Sequence, residues 1–343
     1  MTGLEALAGD LVVLAFVDAL GEFLRPETLV GVLVDGLSKA ALYVMIAGGL
    51  TLIFGLMGVL NFAHGSMTMI GAYLGGLLMV LAVGEATGAG MRLVAFFVAM
   101  AAAFAVLAGL GGAIEVGLIR RLYDRPPIYQ ILLTFGVTLV LDELARIVVL
   151  FYGIQPSSEW QAAFGTKPYF LDQQVDLGII SVPGLDLFEI GFGVLTVAGL
   201  WAFLTRTRYG LIVRAGSEDS EMTEALGIDV RRVFTVVFAL GAGVAGAAGT
   251  LLMWDASWGA SVPLAADTLL PAFVVVIIGG LGTFRGTVVA AVIVGMADAV
   301  TTWWFVNEIE FASLPEMTVF LILVVMLILK PQGLFGVEEV GGH

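Results

Sequence analysis

Long apolar stretches separated by short polar ones run along nearly the whole chain. Apolar spans fall at roughly 37–57, 64–83, 91–118, 128–152, 186–205, 232–254, 268–281, 286–306 and 314–330. A stretch near 20 apolar residues is the length an α-helix needs to cross a hydrocarbon core of about 30 Å. The pattern predicts an all-α, polytopic helical membrane protein. The seventh and ninth spans are short, which suits tilted helices, half-helices or helices that draw on flanking residues. Residues 4–24 mix apolar positions with Glu5, Asp10, Asp18 and Glu22, and Pro26 breaks the run. Four carboxylates suit an amphipathic helix at the interface as well as a poor span, and both readings stand. The first basic residue, Arg25, lies beyond the apolar run 11–17, which is not the order of an ordinary signal peptide.

Among the polar segments, 206–232 is the longest strongly polar one between two spans. It holds Arg206, Arg208, Arg214, Arg231 and Arg232, five of the fifteen Lys and Arg. Cytoplasmic loops carry the Lys/Arg excess, so this segment is placed inside. Threading the spans from there puts Arg120, Arg121, Arg125, Arg285 and Lys330 inside as well. Arg25, Lys39, Arg92 and Lys167 fall outside and Arg146 within a span, so the balance is ten against four. Trp254, Trp258, Trp303 and Trp304 reach the outer interface, and the C-terminus is inside. Within the cytoplasmic segment, Ser217, Glu218 and Asp219 open a short helical pattern that Gly227 closes. Met222, Ala225 and Leu226 share one face of it. An apolar-faced helix at the membrane surface reads either as a docking knob for a cytoplasmic partner or as a solvated loop helix. The external loop 153–185 is the longest outside, with an alternating run at 175–182 that predicts a short hairpin. It reads as a docking surface for an extracytoplasmic protein or as a structural lid.

Composition sharpens this picture. The chain is 59% apolar and 13% charged, against roughly 25% charge in soluble domains. Its net charge of −14, with only three Lys among the basic residues, argues against nucleic acid as a partner. The same bias fits a surface adapted to high salt or a GC-rich genome. There is no Cys, which excludes disulfides and thiolate metal sites.

Catalytic chemistry finds little support. The histidines are His64 and His343, too few for a metal cluster or a Ser-His-Asp set, and no cofactor is expected. No Gly-Lys dipeptide occurs, so the phosphate-cradling loop is absent, and any ATP used is bound by another chain. Three polar interruptions of the spans are pathway candidates. Asn61, His64 and Gly65 break the junction of the first two spans, where Asn61 is able to cap the next helix. Irregular backbone at membrane depth needs protein or a water-filled cavity against it. Asp142, Glu143 and Arg146 fall near the middle of the fourth span, and Asp298 stands alone in the eighth. Groups at such depth pair with one another or face a polar cavity. Small-residue runs at 241–249 and 279–295 favour close helix packing.

Four motifs in order carry a family resemblance. The first runs from Gly36-Leu37 through Ile53-Phe54-Gly55 to Asn61-Phe62-Ala63-His64-Gly65 and Gly71. The second comprises Tyr209-Gly210, Arg214-Ala215, Glu218-Asp219 and Leu226-Gly227-Ile228. The third is Gly279 to Gly286 (GGLGTFRG), and the fourth Lys330 to Gly336 (KPQGLFG). Over 35–336 the chain resembles the permease subunits of branched-chain amino acid ABC transporters, in the first of the two permease types that pair there. Residues 1–34 remain as an acidic N-terminal extension, longer than the family's usual start.

The resemblance implies a type II-like importer permease of about eight to ten transmembrane helices in the cell membrane. Its implied partners are a second permease subunit, two cytoplasmic ATP-binding subunits, an extracytoplasmic substrate-binding protein and membrane lipid. It also implies that the helix around Glu218–Gly227, in the cytoplasmic coupling loop 206–232, seats in an ATPase. Branched-chain amino acids are the implied substrates, with urea, short amides or polar amino acids as competing ones. From a different class, a self-contained ion-coupled carrier or channel would use Asp142, Arg146 and His64 as its path.

Overall fold

The structure is a computed structural model that describes residues 17–84, 86–151, 165–178, 180–218, 220–255, 258–308 and 314–336. Each of the nine predicted spans is met by a helix. In chain order these are α1 (Pro26–Met57), α2 (Ala63–Ala82), α3 (Ala89–Gly117), α4 (Pro127–Phe151) and α5 (Gly184–Arg206). Two short helices follow, α6 (Arg208–Glu218) and α7 (Ser220–Ala225). The chain then returns through α8 (Val230–Leu252), α9 (Leu264–Gly279), α10 (Phe284–Thr302) and α11 (Leu314–Leu329). Six of the long helices are apolar enough to cross a membrane unaided. The exceptions are α4, which carries Asp142, Glu143 and Arg146, and the 16-residue α9 and α11. Sixteen residues rise only about 24 Å, the shortness expected from the sequence.

Two helices form the centre. On one side α8 packs on α1, α2 and α3; on the other α1 packs on α5 and α10. Ile46, Ala47, Leu50 and Ile53 of α1 are fully buried there. The glycines of α8 explain how the backbones come so close. A Cβ at Gly249 would fall on the Thr68 carbonyl of α2, and one at Gly71 on the Gly246 backbone. In lipid no hydrophobic drive presses helices together, so this close contact supplies the dispersion energy that holds them.

Between α4 and α5, strands β1 (Gln174–Asp176) and β2 (Ser181–Pro183) form an antiparallel hairpin with Val175 opposite Val182, as the alternation predicted. Of the loop expected at 153–185, residues 153–164 and 179 lie outside the described residues. Trp254 departs from the interfacial role expected of it. It is fully buried, stacked on Phe96 at 3.9 Å, and its indole donates to Thr166 Oγ1 at 3.3 Å. Trp303 and Trp304 meet Phe23 of a helical segment at 17–23. The remainder of the 4–24 expectation falls on residues outside those described.

Candidate functional site

Parts of all four motifs meet at one end of the bundle, where Gly55, Arg214, Gly282 and Phe335 line one cavity. Gly280 and Gly282 take left-handed φ of 98° and 81°, turning α9 into α10 within four residues. A Cβ at Gly279 would strike Gly286, and one at Gly282 would strike Gly55 of α1. The C-terminal motif folds back onto the same turn. Leu334 N donates to Ile278 O at 2.7 Å and Phe335 N to Gly279 O at 3.1 Å, answering carbonyls at the end of α9. The glycine-rich motifs thus build one rigid block of tight turns.

The polar segment 206–232 rests on this block. Thr207 Oγ1 accepts from Gly210 N at 3.0 Å, which starts α6 as soon as α5 ends. A Cβ at Gly210 would meet the Phe203 and Leu204 carbonyls, so only glycine lets α6 fold back this tightly. Val213 is buried with Leu52, Leu56, Leu200, Val233 and Val237, tying α6 to α1, α5 and α8. Beyond it α7 ends at Gly227, whose φ of 81° is left-handed. Met222 and Leu226 are 60% and 74% exposed, and Ala225 is also exposed, while Thr223 faces inward and is buried. Asp229 then caps α8 by accepting from Arg232 N at 3.2 Å. Of the expected coupling positions, Asp219 lies outside the described residues and Glu218 closes α6.

Beside this loop lies a polar cluster the sequence reading did not pick out. Glu115, fully buried near the end of α3, receives Arg120 through both carboxylate oxygens at 3.2 and 2.9 Å. Tyr123 OH donates to it at 2.5 Å and Thr235 Oγ1, from the first turns of α8, at 2.7 Å. Burial first, then this hydrogen bond, raises the Tyr123 phenol above its usual pKa. A buried acid requires such partners, so a lone Glu late in an apolar span was the available signal.

The pathway candidates do not form one constellation. Gly58 turns the chain with φ 62°, and residues 58–62 fold back alongside α1 before α2 begins. The His64 imidazole sits beside Ile46 and Gly49, roughly two to three turns above the end of α1. Protein answers the irregular backbone there. Thr134 Oγ1 donates to Leu60 O at 3.1 Å, and Asn61 Oδ1 accepts from Ala63 N at 3.2 Å. His64 Nε2 lies 2.9 Å from Ile46 O, facing α1, and Gly65 packs on Ala265 of α9. Asn61 Nδ2 and His64 Nδ1 have no hydrogen-bond partner among the described residues.

On a different face of α2, Ser66 Oγ donates to Asp142 Oδ1 of α4 at 2.6 Å. One turn on, Glu143 and Arg146 pair at 3.4 Å with side chains 61% and 58% exposed. Only Gln130, Thr134 and Val149 of α4 are buried. Asp298 is elsewhere again. It ties α10 to α1 by accepting from Lys39 at 3.3 Å and Tyr43 at 2.9 Å. In the outer half of α1, buried Ser38 likewise donates to Glu189 of α5, a pairing across 151 residues.

Comparison with known proteins matches this architecture to one family. The model of the branched-chain amino acid transport system permease component matches residues 32–329. The chain is 27% identical over 313 residues to the high-affinity branched-chain amino acid transport system permease protein BraD of Pseudomonas aeruginosa, covering 90% of this chain and 96% of that protein. It is 25% identical to LivH of Escherichia coli, covering 89% and 95%. A probable branched-chain amino acid transport permease protein LivH of Methanocaldococcus jannaschii is 26% identical, covering 87% and 89%. With the family model matched over residues 32–329, the chain belongs to the permease component family of branched-chain amino acid transport systems.

Proposed function

We propose that this chain is one of two membrane subunits of an ATP-driven importer of leucine, isoleucine and valine in the cell membrane. ATP is hydrolysed on separate cytoplasmic subunits, a second permease completes the pathway, and an extracytoplasmic protein delivers the substrate. The observation that carries this reading is the exposed pair Met222 and Leu226, presented by α7 and the turn after it, which pack on α6, itself braced by α1, α5 and α8. Exposed apolar side chains on a rigid support lose little entropy on docking, which suits them to a groove in a partner. A push on α7 passes into α6 and from there to the central helices.

The translocation path in this proposal runs along α4. An ion pair at mid-span, exposed on a helix that packs little within this chain, belongs against water or a partner rather than lipid. Asp142 and Arg146 line that wall, while Asn61, His64 and Gly65 hold the broken start of α2 behind it. Asp298 acts between α1 and α10. The carrier reading needed His64 and Asp142 on one path, and their contacts lie on different faces of α2. The test is uptake of radiolabelled leucine by cells expressing Leu226→Glu. Uptake is expected to fall to background with the protein still in the membrane; undiminished uptake contradicts the coupling role.

A further inference from the structure

The flank of α1 between α5 and α10 carries two cavities that the transport reading leaves unused. The first, of about 380 Å³, is walled almost entirely by aliphatic side chains, with Ala40 and Val44 as its floor. Val194 and Val292 form its two rims, and both side chains are exposed. The second, of about 410 Å³, lies towards the cytoplasm along the same helix, over Thr51, Leu52 and Gly55. Trp201 of α5 is a wall of both. Between them Leu200 and Phe284 close over Gly48 as a neck.

Chemistry changes along this groove. The deeper cavity is aliphatic. The cytoplasmic one adds the exposed Arg214 and Arg285 and the hydroxyls of Thr205 and Thr283. Arg214 comes from α6 and Arg285 from the first turn of α10, both at the inner membrane surface by the threading above. From Gly55 to Val44 is eleven residues of helix, about 16 Å, or half of a bilayer core near 30 Å thick. Together the two cavities span one leaflet, aliphatic inside and lined by two arginines at headgroup level, the polarity profile of a single anionic phospholipid.

We propose that this groove is a binding site for an anionic phospholipid of the inner leaflet. One acyl chain lies along α1 between α5 and α10, and the phosphate sits between Arg214 and Arg285. Basic pockets between helices on the cytoplasmic side hold acidic headgroups in this way. The whole-molecule field works against it, because a net charge of −14 repels acidic lipid on average. Any preference for anionic lipid at this position is therefore local. Since Arg214 belongs to α6, the lipid also braces the support of α7 against α10, which makes coupling sensitive to the acidic lipid content of the membrane.

Trp201 provides the readout. The full chain, with any subunits that accompany it, is reconstituted in phosphatidylcholine vesicles containing increasing fractions of acyl-brominated phosphatidylglycerol or acyl-brominated phosphatidylcholine. Bromine quenching of Trp201 is the difference between the wild type and Trp201→Phe. Half-quenching is expected at a roughly tenfold lower mole fraction of the phosphatidylglycerol, in line with two arginines at the surface. Arg214→Gln with Arg285→Gln is expected to abolish that difference, and Arg214→Lys with Arg285→Lys to keep most of it. Equal quenching by the two lipids would overturn the proposal, as would no quenching by either, which means that protein fills the groove. If inorganic phosphate at constant ionic strength removes the preference, the site holds free phosphate and the lipid assignment fails.

Discussion

Glu115 illustrates what single residues decide here. Its carboxylate is fully buried and holds Arg120, Tyr123 and Thr235, so it joins the cytoplasmic end of α3 to the start of α8. Removing one partner of a buried ion pair leaves the other uncompensated, at a cost of several kcal/mol. Arg120 is 30% exposed and can rehydrate, so Glu115→Ala is expected to cost about 3 kcal/mol, at the low end of that range. Thermal unfolding in detergent checks this, with Tyr123→Phe expected to lose about 2 kcal/mol for its single hydrogen bond to a carboxylate. Gly249→Val tests packing instead. Its side chain must displace the Thr68 carbonyl, and roughly 3 kcal/mol of destabilisation is expected from forcing α2 and α8 apart. In the sequence, isolated acids in apolar spans were visible at Asp142 and Asp298. Their partners were not, because Ser66 and Asp142 are 76 positions apart and Lys39 and Asp298 are 259 apart. Periodicity orients a side chain on its own helix and carries no information about which other helix it meets.

Elements were more legible, for a physical reason. Helix existence in a bilayer is dictated by length and apolarity alone, and all nine spans were met by helices. The break before α2 was also signalled, by Asn61 and by the glycines at 58 and 65. Its climb back to the level of Ile46 was not, since it is fixed by contacts with α1 and α4. Two predictions belong to elements. Because Glu143 and Arg146 are exposed and paired only with each other among the described residues, Glu143→Leu with Arg146→Leu is expected to leave thermal stability within about 1 kcal/mol. Leucine uptake is nevertheless expected to fall at least about tenfold, equivalent to roughly 1.4 kcal/mol, if α4 walls the path. Normal uptake by the double variant would place the path elsewhere. On α7, Met222→Asp is expected to impair coupling as Leu226→Glu does, while Thr223, buried on the inner side, is expected to act on folding instead.

At the scale of the whole molecule, the expected orientation rests on ten basic residues on one side against four on the other. The chain has no cysteine, so single cysteines report sidedness without background. A cysteine at Met222 is expected to react with a membrane-impermeant maleimide only in inside-out vesicles, and one at Asp172 only in intact cells. Reversal of either would invert the bundle and remove α7 from the cytoplasm. The convergence of the four motifs at one end is the feature no single segment announced, because it joins residues 55, 216, 282 and 336 through tertiary turns. What that end does is tested most directly by purifying the tagged chain from native membranes in mild detergent and identifying its companions by mass spectrometry. ATP-binding subunits and a second permease are expected with the wild type, and loss of the ATP-binding subunits alone with Leu226→Glu. A chain that purifies alone and still transports, or a Leu226→Glu variant that keeps its ATP-binding subunits, would contradict it.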